Sequence, residues 1–147
     1  MDGSLIKKGD KIIGLPSSGL HSNGYTLIND MLWRHKIFYA DTTELRMPTQ
    51  IYAKRIAELI DNIPILGMAH ITGGGLVENV PRCLPEGLKA NIDYTSWERP
   101  EIFNKIQQAG EIEEDEMRRV FNCGIGFVLI VPPEVDDLDS NLIGEVL

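Results

Sequence analysis

Three consecutive glycines at residues 73–75 constrain the fold more than any other feature of this sequence. They follow a mostly apolar segment, ILGMAHIT at 65–72, that reads as a strand carrying His70 and Thr72. Glycine loses much conformational entropy on folding, so such a run is kept where the backbone turns sharply or a ligand lies against it. The run is not a P-loop, since no lysine follows, and it lacks the G-x-G-x-x-G spacing of dinucleotide sites. We therefore predict a generic anion-binding loop.

A second glycine-bearing loop, GLPSSGLHSNGY at 14–25, follows the short apolar segment KIIGL at 11–15. Its glycines permit close backbone approach, and the helix that follows offers its positive dipole end to an anion. The loop is therefore competent to hold a phosphate or carboxylate group. The alternative is a solvated connection whose polar side chains satisfy only their own turn, with Ser22 or Asn23 capping the helix.

Each loop carries one histidine, and each follows a predicted strand. His21 could donate a hydrogen bond to a bound anion or exchange a proton near neutral pH, and a structural hydrogen bond is its alternative role. Because both loops end strands, both could open at the same edge of one sheet. A third glycine-bearing segment, FNCGIGF at 121–127, is predicted to permit close backbone packing, with a ligand contact from Asn122 as the lesser alternative.

The remaining pattern alternates short apolar segments with amphipathic helices, which indicates a single α+β domain over residues 1–147 with a mixed β-sheet covered by α-helices. His35 falls on the core side of the first helix and is assigned no function. The predicted strands are 11–15, 65–72, 88–94 and 124–132. The predicted helices begin near Tyr25 and at Pro48, and cover 76–83, 99–110 and 114–121.

Charge and composition narrow the classes of partner. The chain has 14 basic and 22 acidic side chains, a formal charge of −8, which would repel nucleic acid and anionic membranes. Cys83 and Cys123 have no metal-site spacing and are expected to be buried thiols. The longest apolar run, FVLIV at 127–131, is too short to span a bilayer. We predict a cytoplasmic protein with no nucleic-acid partner, no membrane partner and no metal site of its own.

Four segments closely resemble the C-terminal domain of the AIR synthetase family, the phosphoribosylformylglycinamidine cyclo-ligases. They occur in colinear order between about residues 3 and 133, and an IGEV phrase at 143–146 resembles the family's final strand. The resemblance implies ATP-dependent ring closure of formylglycinamidine ribonucleotide to aminoimidazole ribonucleotide in purine biosynthesis. The four segments are GDKIIGLPSSGLHSNGYTLI, PTQIYAKRI, AHITGGGLVENVPRCLP and FNCGIGFVLIVP.

The same resemblance implies roles for individual residues. It makes His21 and His70 the candidates for catalysis. The residues implied to contact substrate or phosphate are Ser17, Ser18, Gly19, Ser22, Asn23, Gly24, Thr72, Gly73, Gly74, Gly75, Asn79 and Asn122.

The resemblance further implies ATP and Mg²⁺ as cofactors, held mainly by an N-terminal domain that the family carries and that this chain is expected to lack. The family forms homodimers as complete enzymes, and we expect this chain to be inactive alone. One alternative is a stand-alone nucleotide- or phosphate-binding module without turnover. Another is a scaffold that binds nothing, because a site between two domains loses contacts when one is absent.

Overall fold

A computed structural model describes residues 3–34, 43–135 and 141–147. Its five strands form one sheet in the order β2-β4-β1-β5-β3. The strands are β1 Lys11–Pro16, β2 Gly67–His70, β3 Ala90–Ile92, β4 Ile125–Val131 and β5 Asn141–Val146. The α-helices are α1 Tyr25–Trp33, α2 Ala53–Asn62, α3 Gly75–Asn79, α4 Glu101–Gly110 and α5 Glu114–Val120, and 3₁₀ helices occur at Glu44–Arg46 and Val80–Cys83.

The sheet confirms the α+β class but differs from the mixed sheet expected from the sequence. All four described strand pairings are antiparallel. β1 and β2 do run in the same direction, since both are antiparallel to β4. However, β4 lies between them, so the helical connection joins strands that are parallel but not hydrogen-bonded to each other, a split β-α-β arrangement. Alternating strands and helices along the chain do not reveal such an insertion.

This topology brings the ends of β1 and β2 to one edge of the sheet, where β4 begins. Leu15 of β1 and His70 of β2 both pair with Phe127 of β4, so the three residues form one row across neighbouring strands. The loops that follow β1 and β2 therefore leave the sheet side by side. The expectation that both loops open at one sheet edge is confirmed.

Alternation along the central strands divides the core between the two faces of the sheet. Ile12 and Ile130 belong to the cluster on one face, with Leu76 of α3. Ile13 and Leu129 belong to the cluster on the opposite face, under α2. A third cluster lies among α1, α4 and α5. Because β4 is buried on both faces, its apolar run in the sequence is unbroken.

Two local expectations are wrong. Helix α2 begins at Ala53, not at Pro48, because the residues before it are engaged by the loop after β1, as shown below. Helix α1 has Gly24 at its N-cap without a side-chain cap hydrogen bond, and the Asn23 side chain donates instead to the His21 carbonyl oxygen at 3.1 Å. His35 lies outside the described residues.

Both cysteines are expected from the sequence to be buried thiols. Cys123 is buried, Cys83 is only half-buried, and both are free thiols. Burial raises the pKa of the Cys123 thiol to about 11, so the side chain stays protonated.

Within the ranges described, every helix is too short or too polar to cross a membrane.

Candidate functional site

The loop at residues 17–24, the serine-histidine loop, is fixed from below by Asn122. This asparagine is fully buried, and its Nδ2 donates to the Gly19 carbonyl oxygen at 2.8 Å. Its Oδ1 accepts from Ser17 Oγ at 3.0 Å and from the Gly124 N–H at 2.8 Å. The amide is thus occupied by the loop and by the start of β4. The structure places Asn122 behind the site, where it sets the shape of the loop.

His21 turns inward within this loop, while the neighbouring Ser22 is exposed. The imidazole of His21 is only 5% exposed, and its Nε2 accepts from the N–H groups of Ser18 at 3.0 Å and Gln50 at 3.3 Å. A nitrogen that accepts cannot carry a proton, so the neutral ring is protonated at Nδ1. Nδ1 is buried without a hydrogen-bond partner. Burial, and secondarily the charge of His70, lowers the pKa of His21.

Residues 48–52 cross over the serine-histidine loop, and we call this segment the strap. Ser18 Oγ donates to the Pro48 carbonyl oxygen at 2.8 Å, and the Gln50 N–H reaches His21 as described. Tyr52 Oη donates to the Pro16 carbonyl oxygen at 2.6 Å. Because the Pro48 carbonyl oxygen and the Gln50 N–H are hydrogen-bonded to the serine-histidine loop, the strap does not form the first turn of α2.

The loop at residues 72–75, the glycine loop, is fixed by a second buried asparagine. Asn79 is 3% exposed, and its Nδ2 donates to the carbonyl oxygen of Gly75 at 2.7 Å and to that of Gly73 at 3.2 Å. Its Oδ1 accepts from Thr72 Oγ1 at 3.3 Å and from Arg82 Nη1 at 3.2 Å. Asn79 therefore serves the glycine loop as Asn122 serves the serine-histidine loop.

The fold accounts for two of the three glycines but not for the first. Gly74 and Gly75 have φ values of 97° and 57°, in the left-handed region that favours glycine. A Cβ at Gly75 would also overlap the backbone carbonyl oxygen of Arg118. Gly73 is exposed, has no such φ, and a Cβ there would meet no atom within 4 Å. The described structure gives no steric or conformational reason for a glycine at position 73.

An aromatic cluster joins the two loops. The ring of Tyr52 lies 6.0 Å from that of His21 and 6.3 Å from that of His70, both edge-on. Phe127 lies 5.9 Å from His70 in a nearly stacked arrangement. The space beneath is kept by Gly126, where a Cβ would approach His21 Cε1 to 2.5 Å. The structure therefore brings His21 and His70 into one cluster.

Sequence reasoning missed Tyr52 and Gly126. Tyr52 lies inside the helix that the sequence predicts from Pro48, and the available signal was that a buried tyrosine hydroxyl requires a hydrogen-bond partner. Gly126 lies inside a segment read as packing. Neither the strap nor the distant carbonyl group of Pro16 can be inferred from local spacing.

The sheet edge between the loops offers several hydrogen-bonding groups to a ligand. The N–H groups of Gly73 and Gly74 have no backbone acceptor within the described ranges. His70 is exposed, and no described residue hydrogen-bonds to its imidazole. Ser17, Ser18 and Gly19 line an adjoining cavity of about 170 Å³ whose wall also includes the acidic residues Glu44 and Glu101. The edge is therefore polar, with donors on the glycine-loop side and carboxylates beside the serines.

No group of three or more histidine, cysteine, aspartate or glutamate side chains placed to hold a metal ion occurs among residues 3–34, 43–135 and 141–147. The acidic segment at 111–116 leads into α5, which begins at Glu114, and Glu114 contacts Arg99 at 3.1 Å. Glu114 and Glu116 also form ion pairs with Arg118 and Arg119 of the same helix.

An antiparallel sheet with two loops at one edge, each fixed by a buried asparagine, defines an α+β domain with an exposed imidazole and backbone N–H groups that have no backbone acceptor in the described ranges. Residues 7–145 match the family described as AIR synthase related protein, C-terminal domain. The chain belongs to this family, as the resemblance of the four segments predicted.

Curated relatives show the same relationship. The chain is 54% identical over 157 residues to phosphoribosylformylglycinamidine cyclo-ligase of Geotalea daltonii, with 98% of this chain and 44% of the relative covered. It is 51% identical over 152 residues to the protein of that name from Desulfitobacterium hafniense, with 97% and 44% covered. For Syntrophotalea carbinolica the identity is 47% over 166 residues, with 99% and 47% covered. The chain thus spans a little under half the length of these relatives.

Proposed function

We propose that this chain supplies the C-terminal-domain half of a phosphoribosylformylglycinamidine cyclo-ligase site, which uses ATP to close the imidazole ring of aminoimidazole ribonucleotide. The substrate would be formylglycinamidine ribonucleotide. The names of relatives at 45–54% identity support this assignment. Because the chain spans under half of their length, we assign the other half of the site, with Mg²⁺ and most contacts to ATP, to the family's N-terminal domain. The homodimer and the cytoplasmic location belong to the same proposal.

The observation that carries the proposal is Gly73. A glycine that the fold does not require, at an exposed sheet edge, is explained if a ligand approaches the backbone at that point. The N–H groups of Gly73 and Gly74 have no backbone acceptor in the described part of the chain, so they can donate to phosphate oxygens. The ribose 5-phosphate group of the substrate is a suitable ligand for this loop, and the phosphates of ATP are the alternative.

The two histidines suit different tasks in the proposed reaction. Ring closure requires activation of the formyl oxygen by a phosphoryl group, attack of the amidine nitrogen on that carbon, departure of phosphate and loss of a proton. His70 is exposed beside the glycine loop, so its imidazole can exchange a proton with the reacting group. His21 is held neutral by two N–H donors and orients Ser18. We therefore assign proton transfer to His70 and loop positioning to His21.

Among residues 3–34, 43–135 and 141–147 no group of three or more potential metal ligands occurs, and the proposal leaves Mg²⁺ to the N-terminal domain. We derive no step through a metal from this domain. The N–H and hydroxyl groups of Ser17 and Ser18 already donate within the protein. The glycine-loop backbone is therefore the group left to hold phosphate oxygens here.

A calorimetric titration of this chain with ribose 5-phosphate tests the proposal. We expect binding to the wild type and to Asn91→Val, a control on the exposed side of β3. Gly73→Val should weaken binding by about tenfold or more, since its side chain would occupy the ligand's approach without straining the fold. Equal affinity in Gly73→Val would remove the glycine loop from the site.

Absence of binding to the wild type would mean that the site exists only when both domains meet. In a complete enzyme carrying this domain, His70→Ala should then lower the cyclisation rate by about tenfold or more. An unchanged rate would contradict the role assigned to His70. Binding without turnover in the complete protein would favour the alternative of a phosphate- or nucleotide-binding module.

A further inference from the structure

We propose that Tyr52 is a positioning residue of this site, which holds the His70 imidazole in place and joins the strap and both loops into one unit. The inference rests on the function proposed above, because it concerns how the same site is assembled. Tyr52 does not touch the open edge itself, since its side chain is only 6% exposed. It would act through the histidines that it contacts.

The hydroxyl of Tyr52 fastens the strap to the sheet. Tyr52 Oη donates to the carbonyl oxygen of Pro16, the last residue of β1, at 2.6 Å. Burial raises the pKa of the Tyr52 hydroxyl, so the group remains a donor at neutral pH. The position of the tyrosine ring is therefore set by β1 and by the start of α2 together.

The ring of Tyr52 then sets the position of His70. The imidazole of His70 has no described hydrogen bond that would orient it, and aromatic rings form its closest recorded contacts. Tyr52 meets it at an interplanar angle of 64°, and Phe127 lies against it at 24°. Edge-on and offset-stacked arrangements of this kind are the favoured geometries of ring pairs. Tyr52 and Phe127 thus hold the ring, while His70 as a whole remains exposed.

The same tyrosine connects His70 to the serine-histidine loop. Its ring is also edge-on to His21, whose Nε2 accepts from the N–H of Gln50 in the strap. A displacement of the strap would therefore move the surroundings of both histidines. A side chain that served only to fill the core under α2 would need neither the hydroxyl contact nor the two imidazole contacts.

NMR spectroscopy of the isotopically labelled chain tests this role. In the wild type we expect nuclear Overhauser effects between the ring protons of Tyr52 and those of His70. Tyr52→Phe keeps the ring but removes the hydroxyl contact with Pro16, so it should retain the His70–Phe127 effects and shift the His70 signals less than Tyr52→Leu does. Tyr52→Leu should lose those effects and move the His70 imidazole shifts toward the values of an unstructured histidine.

Tyr25→Leu is the matched control. The Tyr25 hydroxyl also donates to a backbone carbonyl, that of Leu45, but its ring forms no recorded contact with a histidine in the described chain. The control should leave the His70 signals unchanged.

Two results would overturn the proposal: absence of Tyr52–His70 effects in the wild type, or unchanged His70 signals in folded Tyr52→Leu. If Tyr52→Leu does not fold, the wild-type effects and their retention in Tyr52→Phe decide the matter. Failure of the proposed function is separable, because missing ribose 5-phosphate binding would leave these ring contacts in place.

Discussion

Asn122 Nδ2 donates to the carbonyl oxygen of Gly19 at 2.8 Å, a contact between residues separated by 103 positions in the chain. The same side chain accepts from Ser17 Oγ and from the N–H of Gly124. One buried amide therefore joins the loop after β1 to the segment that begins β4. The serine-histidine loop is thus held by an amide outside it, while the helix that follows it, α1, has no side-chain cap hydrogen bond.

Asn122→Ala should lower the free energy of unfolding by about 2–4 kcal/mol, because it leaves buried donors and an acceptor without partners. The measurement is urea denaturation followed by circular dichroism. Asn91→Ala, at an exposed position on β3, is the control and should change stability by about 0.5 kcal/mol or less. If the two substitutions changed the free energy of unfolding equally, the hydrogen bonds of Asn122 would not stabilise the fold.

We predict different effects on stability for substitutions at the first and third glycines of the glycine loop. Gly75→Ala should destabilise by at least about 2 kcal/mol, because the new Cβ meets the Arg118 carbonyl oxygen at a left-handed φ. Gly73→Ala should leave stability unchanged or raise it by up to about 1 kcal/mol, since it only restricts the unfolded chain. Thermal unfolding of both variants checks this. A destabilised Gly73→Ala would contradict the view that the fold does not require this glycine.

Gly126→Ala should displace His21, because its Cβ would lie 2.5 Å from Cε1 of that imidazole. We expect a loss of about 1–3 kcal/mol together with altered NMR signals of His21 and Tyr52. Gly14→Ala is the control within the same sheet, since its Cβ would meet aliphatic atoms of Ile125 and Ile143 at 2.9 Å. If both variants moved the His21 signals alike, Gly126 would have no special relation to the imidazole.

The lowered pKa of His21 predicts a specific dependence of stability on pH. The unfolded chain takes up the proton near the ordinary value of 6.5, while the buried imidazole resists it, so unfolding is favoured as pH falls below 6.5. The contribution of neutral His21 to the free energy of unfolding is fully present above pH 6.5. It is lost as the pH falls from 6.5 toward the lower pKa of His21 in the folded protein. A hydrogen bond from Arg119 lowers the pKa of Glu116. Protonation of Glu116 therefore affects stability only below about pH 4.5, outside the range in which His21 acts.

Urea midpoints at pH 7, 6 and 5 measure the effect. His21→Gln should show a smaller fall in stability between pH 6.5 and 5 than the wild type, whatever its absolute stability. A fall of the same size in both proteins would show that His21 does not cause it.

The sequence predicted those elements whose cause is local. The run at 127–131 predicted a buried strand because every position of β4 there is apolar. β5 was expected only through the resemblance of the IGEV phrase to the family's final strand. The glycine loop was placed correctly after a strand. What depends on distant partners was not predicted. The late start of α2 results from hydrogen bonds to Ser18 and His21, some thirty residues earlier.

The candidate site shows the same limit. Its two loops could be predicted because glycine and histidine at strand ends are unusual, but the tasks of Asn79 and Asn122 could not. An asparagine in a sequence does not show which carbonyl oxygen it will reach. Only the fold reveals that these amides turn toward their own loops. The role of Tyr52 could not be predicted for the same reason, since its hydrogen-bond partner Pro16 lies 36 residues away in the chain.

Because β4 lies between β1 and β2, the spacing of the two loops and the chemistry of their side chains are set by different parts of the structure. The distance between the loops amounts to two strand spacings, about 10 Å, and it is kept by main-chain hydrogen bonds that every residue type except proline can both donate and accept. The chemistry of the loops depends on side chains that can be exchanged without altering that ladder. The sheet thus determines how long a ligand must be to reach both loops, and the loops determine which chemical groups its two ends must carry.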